Sequence, residues 1–103
     1  GGARGPLAGL ARFYQLLLAG GELDSRRLLR SDTVAALTRP QRTGLFDATF
    51  RHVVDFGLGF VLNSNAHGAD TVPYGYGPSA GTGTFGHSGS QSSCAFADPE
   101  HDL

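Results

Sequence analysis

The stretch Phe85-Gly86-His87-Ser88-Gly89-Ser90-Gln91-Ser92-Ser93-Cys94-Ala95-Phe96-Ala97 reads as two short strands, 85–90 and 93–97, joined by a Ser/Gln turn. Small and apolar residues hold the strand positions, and the polar run between them is turn chemistry. Asp98-Pro99-Glu100-His101-Asp102 forms a further turn, to which no chemistry is assigned, and Leu103 looks like the start of another strand. A strand pair at this end of the chain sets the problem for the rest: what covers its apolar face.

Working back from it, segment 63–84 is polar and carries Gly68, Pro73, Gly75, Gly77, Pro78, Gly81 and Gly83, the composition of a long surface loop. Before it, Phe56, Leu58, Phe60 and Leu62 alternate with Gly57, Gly59 and Val61, which predicts a strand with one large apolar face and one nearly bare. Segment 42–55 shows only a weak pattern and is read as a loop with one irregular turn. Ser31 opens a second helix as its cap, with Asp32 complementing the positive end; Val34, Ala35 and Leu37 form its buried side and Pro40 ends it. Segment 22–29 is a short turn with Asp24-Ser25 at its tip and Leu28-Leu29 returning to the core. Leu7, Leu10, Ala11, Tyr14, Leu17 and Leu18 fall at helical spacing, Pro6 suits the first turn, and Gly20-Gly21 supply the stop. Arg12 and Gln15 lie off that stripe and should face water.

These elements describe part of a larger α+β protein, with residues 1–103 as one partial domain, because three strands and two helices close a sheet poorly. The chain has 103 residues and 10.7 kDa, enough for one modest core. A net charge of -1 provides no electrostatic footprint for nucleic acid or an anionic membrane surface. Arg26, Arg27 and Arg30 are a solvated edge without neighbouring aromatics for base stacking. The apolar run 16–19 falls far short of the roughly 20 residues of a membrane span. Cys94 has no internal partner and is read as a small buried strand residue, so neither cysteine usage nor any other feature fixes the compartment.

Gly86-His87-Ser88-Gly89-Ser90 fails the G-x-S-x-G nucleophile elbow at its last position, and no helix follows to close such a turn. The same residues make better sense as the wall of a site on a strand edge. His87 can exchange protons near neutral pH, Ser88 can relay a proton or hold a carboxylate, and Gly89 lets substrate lie against the backbone. Backbone N–H groups along such an edge can stabilise an oxyanion. The plainer alternative is a strand entered through a glycine turn, with His87 satisfied by hydrogen bonds. His52, His67, His87 and His101 lack the paired spacing of a metal site, and no metal is expected.

Segment 9–103 resembles the C-terminal half of the serine β-lactamase and penicillin-binding-protein superfamily, in its class C branch with related esterases and D-aminopeptidases. The resemblance is carried, in order, by Leu10-Ala11-Arg12-Phe13 with Ala19-Gly20-Gly21-Glu22-Leu23, by Leu28-Leu29-Arg30-Ser31-Asp32-Thr33-Val34, by Phe56-Gly57-Leu58-Gly59-Phe60, and by Phe85-Gly86-His87-Ser88-Gly89 with Phe96-Ala97-Asp98-Pro99-Glu100. It implies an α+β fold in which an antiparallel sheet is flanked by helices, part of the β-lactamase/transpeptidase-like architecture. His87-Ser88-Gly89 matches the His-x-Gly version of the family's third catalytic motif. The resemblance implies that His87 helps bind substrate and assists proton transfer, that Ser88 lines the pocket, and that the Ser90 backbone N–H is one oxyanion donor. It implies an ester or amide as substrate, an acyl-enzyme intermediate, and no cofactor. Where the family has glycine soon after the motif, this chain has Gln91-Ser92-Ser93.

The family's nucleophile lies in a Ser-x-x-Lys motif followed by Tyr-x-Asn. All eight basic residues here are arginines, so the serine–lysine dyad is impossible within these residues, and no tyrosine is followed two positions later by asparagine. In the family both motifs lie upstream, so the remainder of the parent chain is the expected partner and the fragment alone is expected to be inactive. The competing reading is a binding or scaffold domain that keeps the fold without the chemistry, favoured by Gln91-Ser92-Ser93; the upstream sequence separates the two. If the sheet is cut after Leu103, the isolated 103-residue chain should be marginally stable or self-associate through its open edge. A monomer that melts cooperatively at micromolar concentration, seen by calorimetry and sedimentation, counts against that expectation.

Overall fold

The computed structural model describes residues 4–90 and 93–103. Pro6, extended at φ −72° and ψ 143°, leads into helix α1, Leu7–Leu18. The helix ends where Gly20 and Gly21, at φ 66° and 99°, turn their N–H groups onto the Leu17 and Leu16 carbonyls at 3.0 and 2.8 Å. Gly21 is required twice over, since a Cβ there would also lie 2.2 Å from the Leu29 carbonyl oxygen. The apolar stripe is buried only in its C-terminal half: Tyr14 and Leu17 are covered, as is Leu16 beside the stripe, whereas Leu7 is 82% exposed. Arg12 and Gln15 face water as the pattern requires.

Strands β1 (Glu22–Leu23) and β2 (Arg26–Arg27) pair as a hairpin whose tip, Asp24-Ser25, has φ 50° and 61°, the left-handed pair of a tight β-turn. Helix α2 spans Ser31–Thr38. Ser31 is its first helical residue rather than its cap; Arg30 occupies the cap position, with no side-chain capping bond, and pairs instead with Asp32 at 2.7 Å. Val34 is buried and Leu37 half-buried, but Ala35 faces solvent, so the inward face is narrower than the sequence suggests.

Two segments depart from their sequence reading. Residues 56–62 are not one strand. Phe56 bridges Arg42 and Val61, the Gly57 N–H returns to the Phe60 carbonyl at 2.9 Å, and only Val61–Leu62 forms a strand, β5. The glycines serve this reversal: Gly59 sits at φ 79°, and a Cβ on Gly57 would fall 2.3 Å from the Leu37 carbonyl oxygen. An apolar–glycine alternation therefore encodes a close approach to α2, not a pleated face. Segment 42–55, read as a loop, contains the hairpin β3 (Phe46–Asp47) and β4 (His52–Val53). Asp47 organises its turn by accepting the Thr49 and Phe50 N–H groups at 2.9 and 3.1 Å, and Arg42 reaches the same carboxylate at 2.7 Å while its guanidinium lies 4.3 Å from the centre of the Phe56 ring. Two-residue strands carry too few positions to show a period.

Strands β6 (Phe85–Ser88) and β7 (Cys94–Ala97) pair antiparallel as expected, and β5 joins the other side of β6, giving the order β5-β6-β7. Tyr14, Leu17, Val34, Phe60, Leu62, Phe85 and Ala97 form the core between this sheet and the helices. Cys94, expected to be buried, is exposed on β7. Among the described residues no helix is long and apolar enough to cross a membrane.

The loop before β6 is pinned from the far end of β7. Asp98 is only 3% exposed and accepts the Gly81 N–H at 2.9 Å, the Glu100 N–H at 3.0 Å and the His101 Nδ1–H at 2.7 Å. Glu100 adds the Thr82 N–H and hydroxyl at 2.9 and 2.7 Å. The Gly81 N–H, helped by His101, holds the Asp98 carboxyl down at about 2, and the Asp98 carboxylate raises His101 in return. Asp98 therefore contributes stability that is complete above its ordinary value of 3.8 and lost as pH falls toward about 2. The His101 contribution is complete below 6.5 and disappears as pH rises through the raised value. Asp98→Asn should flatten both limbs of a stability–pH profile measured by urea unfolding, while the native chain shows both.

Candidate active site

The sheet places the His87 segment at a margin. β5 pairs with β6 only at Val61↔Gly86 and Leu62↔Phe85, so His87 and Ser88 project past the end of that pairing while β7 still flanks them through His87↔Ala95 and Ser88↔Cys94. β5 ends there because the reversal at Gly57–Phe60 turns the chain away. His87 is exposed and Ser88 half-buried; Gly89 and Ser90, at the start of the turn, are exposed.

The four residues are brought together by continuity of the chain, but not all on one side of the sheet. Successive strand side chains alternate, so the His87 ring and the Ser88 hydroxyl point to opposite faces. The imidazole is fixed locally: His87 Nδ1 lies 2.7 Å from the Ser88 carbonyl oxygen. A carbonyl only accepts, so Nδ1 carries a proton, and in the neutral ring Nε2 is the nitrogen left with a lone pair. The Gly89 N–H is committed to the Ser93 carbonyl at 2.7 Å, closing the turn. Gln91 and Ser92, which depart from the family's glycine, lie outside the described residues.

Tyr14, legible in the sequence only as one member of an apolar stripe, reaches this region from α1. Its hydroxyl donates to the Ala95 carbonyl at 3.0 Å, directly across the ladder from His87. Burial, with Cys94 beside it, pushes the phenol above its ordinary value, so it keeps its proton. Partial desolvation raises the thiol of the exposed Cys94, and burial raises, more strongly, the Tyr76 phenol, whose hydroxyl bonds the Val61 carbonyl at 2.9 Å. An apolar cleft of about 360 Å³ runs between α1 and β7, lined by Leu10, Tyr14, Ala95 and Phe96, and includes Ala95 opposite His87 but not His87 itself. A second imidazole, His67, holds both carboxylate oxygens of Asp55 at 3.0 Å and ties the short 3-10 turn Asn65–His67 to the approach to β5. Neither Tyr14 nor the Asp98 clamp carries a distinctive local motif; the Asp-Pro-Glu turn, where Asp98 accepts the N–H two residues on, was the one hint available.

The family model described as Beta-lactamase matches residues 1–103. A solved structure described as a novel penicillin-binding protein homolog from Caulobacter crescentus is similar at 37% identity and a TM-score of 0.68, over 88% of this chain and 22% of that one. The chain thus spans about a fifth of that protein's length. No curated protein sequence matches the chain.

The close packing of β6 on β7 at the site leaves no room beside Gly86. A Cβ there would fall 2.2 Å from the Ala95 carbonyl oxygen and 2.6 Å from the Phe96 Cβ. Gly86→Ala should cost about 1–3 kcal/mol through forced backbone shifts, read as a lowered urea midpoint with an unchanged slope.

Proposed function

The chain belongs to the Beta-lactamase family, whose fold is of serine-hydrolase type, and on that premise we propose that the complete protein hydrolyses an ester or amide through a transient acyl-enzyme. In this reading residues 1–103 are the C-terminal part of the catalytic domain and provide its third motif. The nucleophile comes from polypeptide outside these residues, since no lysine is present to form the serine–lysine dyad.

The observation that carries the proposal is the disposition of His87: an accessible imidazole at a strand margin, its Nδ1 held by the Ser88 carbonyl, which leaves Nε2 as the ring nitrogen free for chemistry. As the serine oxygen attacks the carbonyl carbon, negative charge develops on the carbonyl oxygen and a proton must leave the hydroxyl; Nε2 is equipped to accept a hydrogen bond from the reacting groups and to pass a proton on. The backbone N–H of Ser90 is the proposed oxyanion donor. Because the Gly89 N–H is spent on the Ser93 carbonyl, Ser90 is the next amide along the chain for that role. The tetrahedral intermediate collapses by breaking the bond to the alcohol or amine, which takes up the serine's proton as it leaves, and water then cleaves the acyl-enzyme, releasing the acid and regenerating the serine. Ser88 and Gly89 line the substrate path in this reading, with no cofactor.

In the complete protein, His87→Ala should lower p-nitrophenyl ester turnover by about 10²–10⁴-fold, the usual worth of a positioned acid–base group. Turnover equal to the parent removes His87 from the site.

A further inference from the structure

We infer that Tyr14 is a positioning residue for His87, fixing the imidazole through the Ala95 carbonyl on the neighbouring strand; this rests on the reading of His87 given above. The connection is short. The Tyr14 hydroxyl, on a residue only 8% exposed, donates to the Ala95 carbonyl at 3.0 Å, and Ala95 is the register partner of His87. The two bonded residues stand 81 positions apart, so this bond relates α1 to the strand pair where no local chain geometry does.

The ring itself has little freedom. Its centroid lies 5.7 Å from Phe13, 6.3 Å from Phe60 and 6.2 Å from Phe85, the last only two residues before His87. A phenylalanine would fill the same space. What the hydroxyl adds is a direction, because a buried O–H left without its acceptor is costly and the Ala95 carbonyl supplies it. Sliding of α1 along β7 would break the bond. The His87 ring is oriented in turn by the Ser88 carbonyl at 2.7 Å, a backbone group, so the placement of residues 87 and 88 passes directly into the tautomer and aim of the imidazole. Burial raises the phenol, so the hydroxyl keeps its proton and remains a donor near neutral pH.

The test uses the complete protein carrying Tyr14→Phe, ester kinetics, and ¹⁵N NMR of the labelled His87 ring. The parent should show a predominantly Nδ1–H ring. Tyr14→Phe should mix the tautomers and lower kcat roughly tenfold with KM within about twofold, the pattern of a misplaced group acting in the transition state. Placing p-aminophenylalanine at position 14 restores a donor and should recover both readouts. If Tyr14→Phe does not fold, p-amino- against p-methylphenylalanine at position 14, matched in size, makes the same comparison. Unchanged ring signals overturn the inference whatever the turnover. A tautomer change without a turnover change supports the positioning and counts against the catalytic reading of His87, and the NMR readout still decides the positioning if His87→Ala proves fully active.

Discussion

Phe85 sits where α1, β5 and β7 meet, and the rest of the structure depends on its packing. It is 3% exposed, lies 5.3 Å from the Phe60 ring and 6.2 Å from Tyr14, and pairs across the ladder with the fully buried Ala97. Fully burying such a ring is worth about 1.5–3 kcal/mol, and the aromatic contacts add to it. Because β6 continues from Phe85 to His87 in two residues, the group that builds the core also decides where the candidate site stands.

Polar ties then hold β6 at both ends. Upstream, the buried Asp98 carboxylate anchors Gly81, while Asn63 donates its side-chain amide to the Ala80 and Gly81 carbonyls at 3.0 and 2.7 Å. Loop 63–84, glycine-rich and long, is therefore fastened at its C-terminal end just where it delivers the chain into the sheet. Downstream, the Gly89–Ser93 bond closes the turn. An open, mobile connection would let the His87 backbone wander by more than the ångström that positioned chemistry tolerates.

The apolar residues that stay uncovered carry a different message. Leu7, Leu10 and Phe13 along α1, with Phe96 and Leu103 near β7, present large side chains to solvent. The core of these residues is thus one-sided: the C-terminal half of α1 is spent on the sheet, and its N-terminal half is not.

Sequence alone determined the elements whose code is local. Helix α1 follows from a 3.6-residue stripe and a glycine stop, the β6–β7 pair from short strands around a polar turn, and the family from ordered short segments ending in His87-Ser88-Gly89. Tertiary structure alone decided the rest. The glycines of 56–62 read as a bare strand face until the Leu37 carbonyl appears against Gly57, and the hairpin in 42–55 exists because Asp47 and Arg42 fold it onto Phe56. Asp98 looks like an ordinary turn residue until Gly81 is brought to it, and Tyr14 looks like one more apolar position until Ala95 arrives. Periodicity records which way a side chain faces within its own element; it holds no record of which carbonyl or amide a distant part of the chain will set against it.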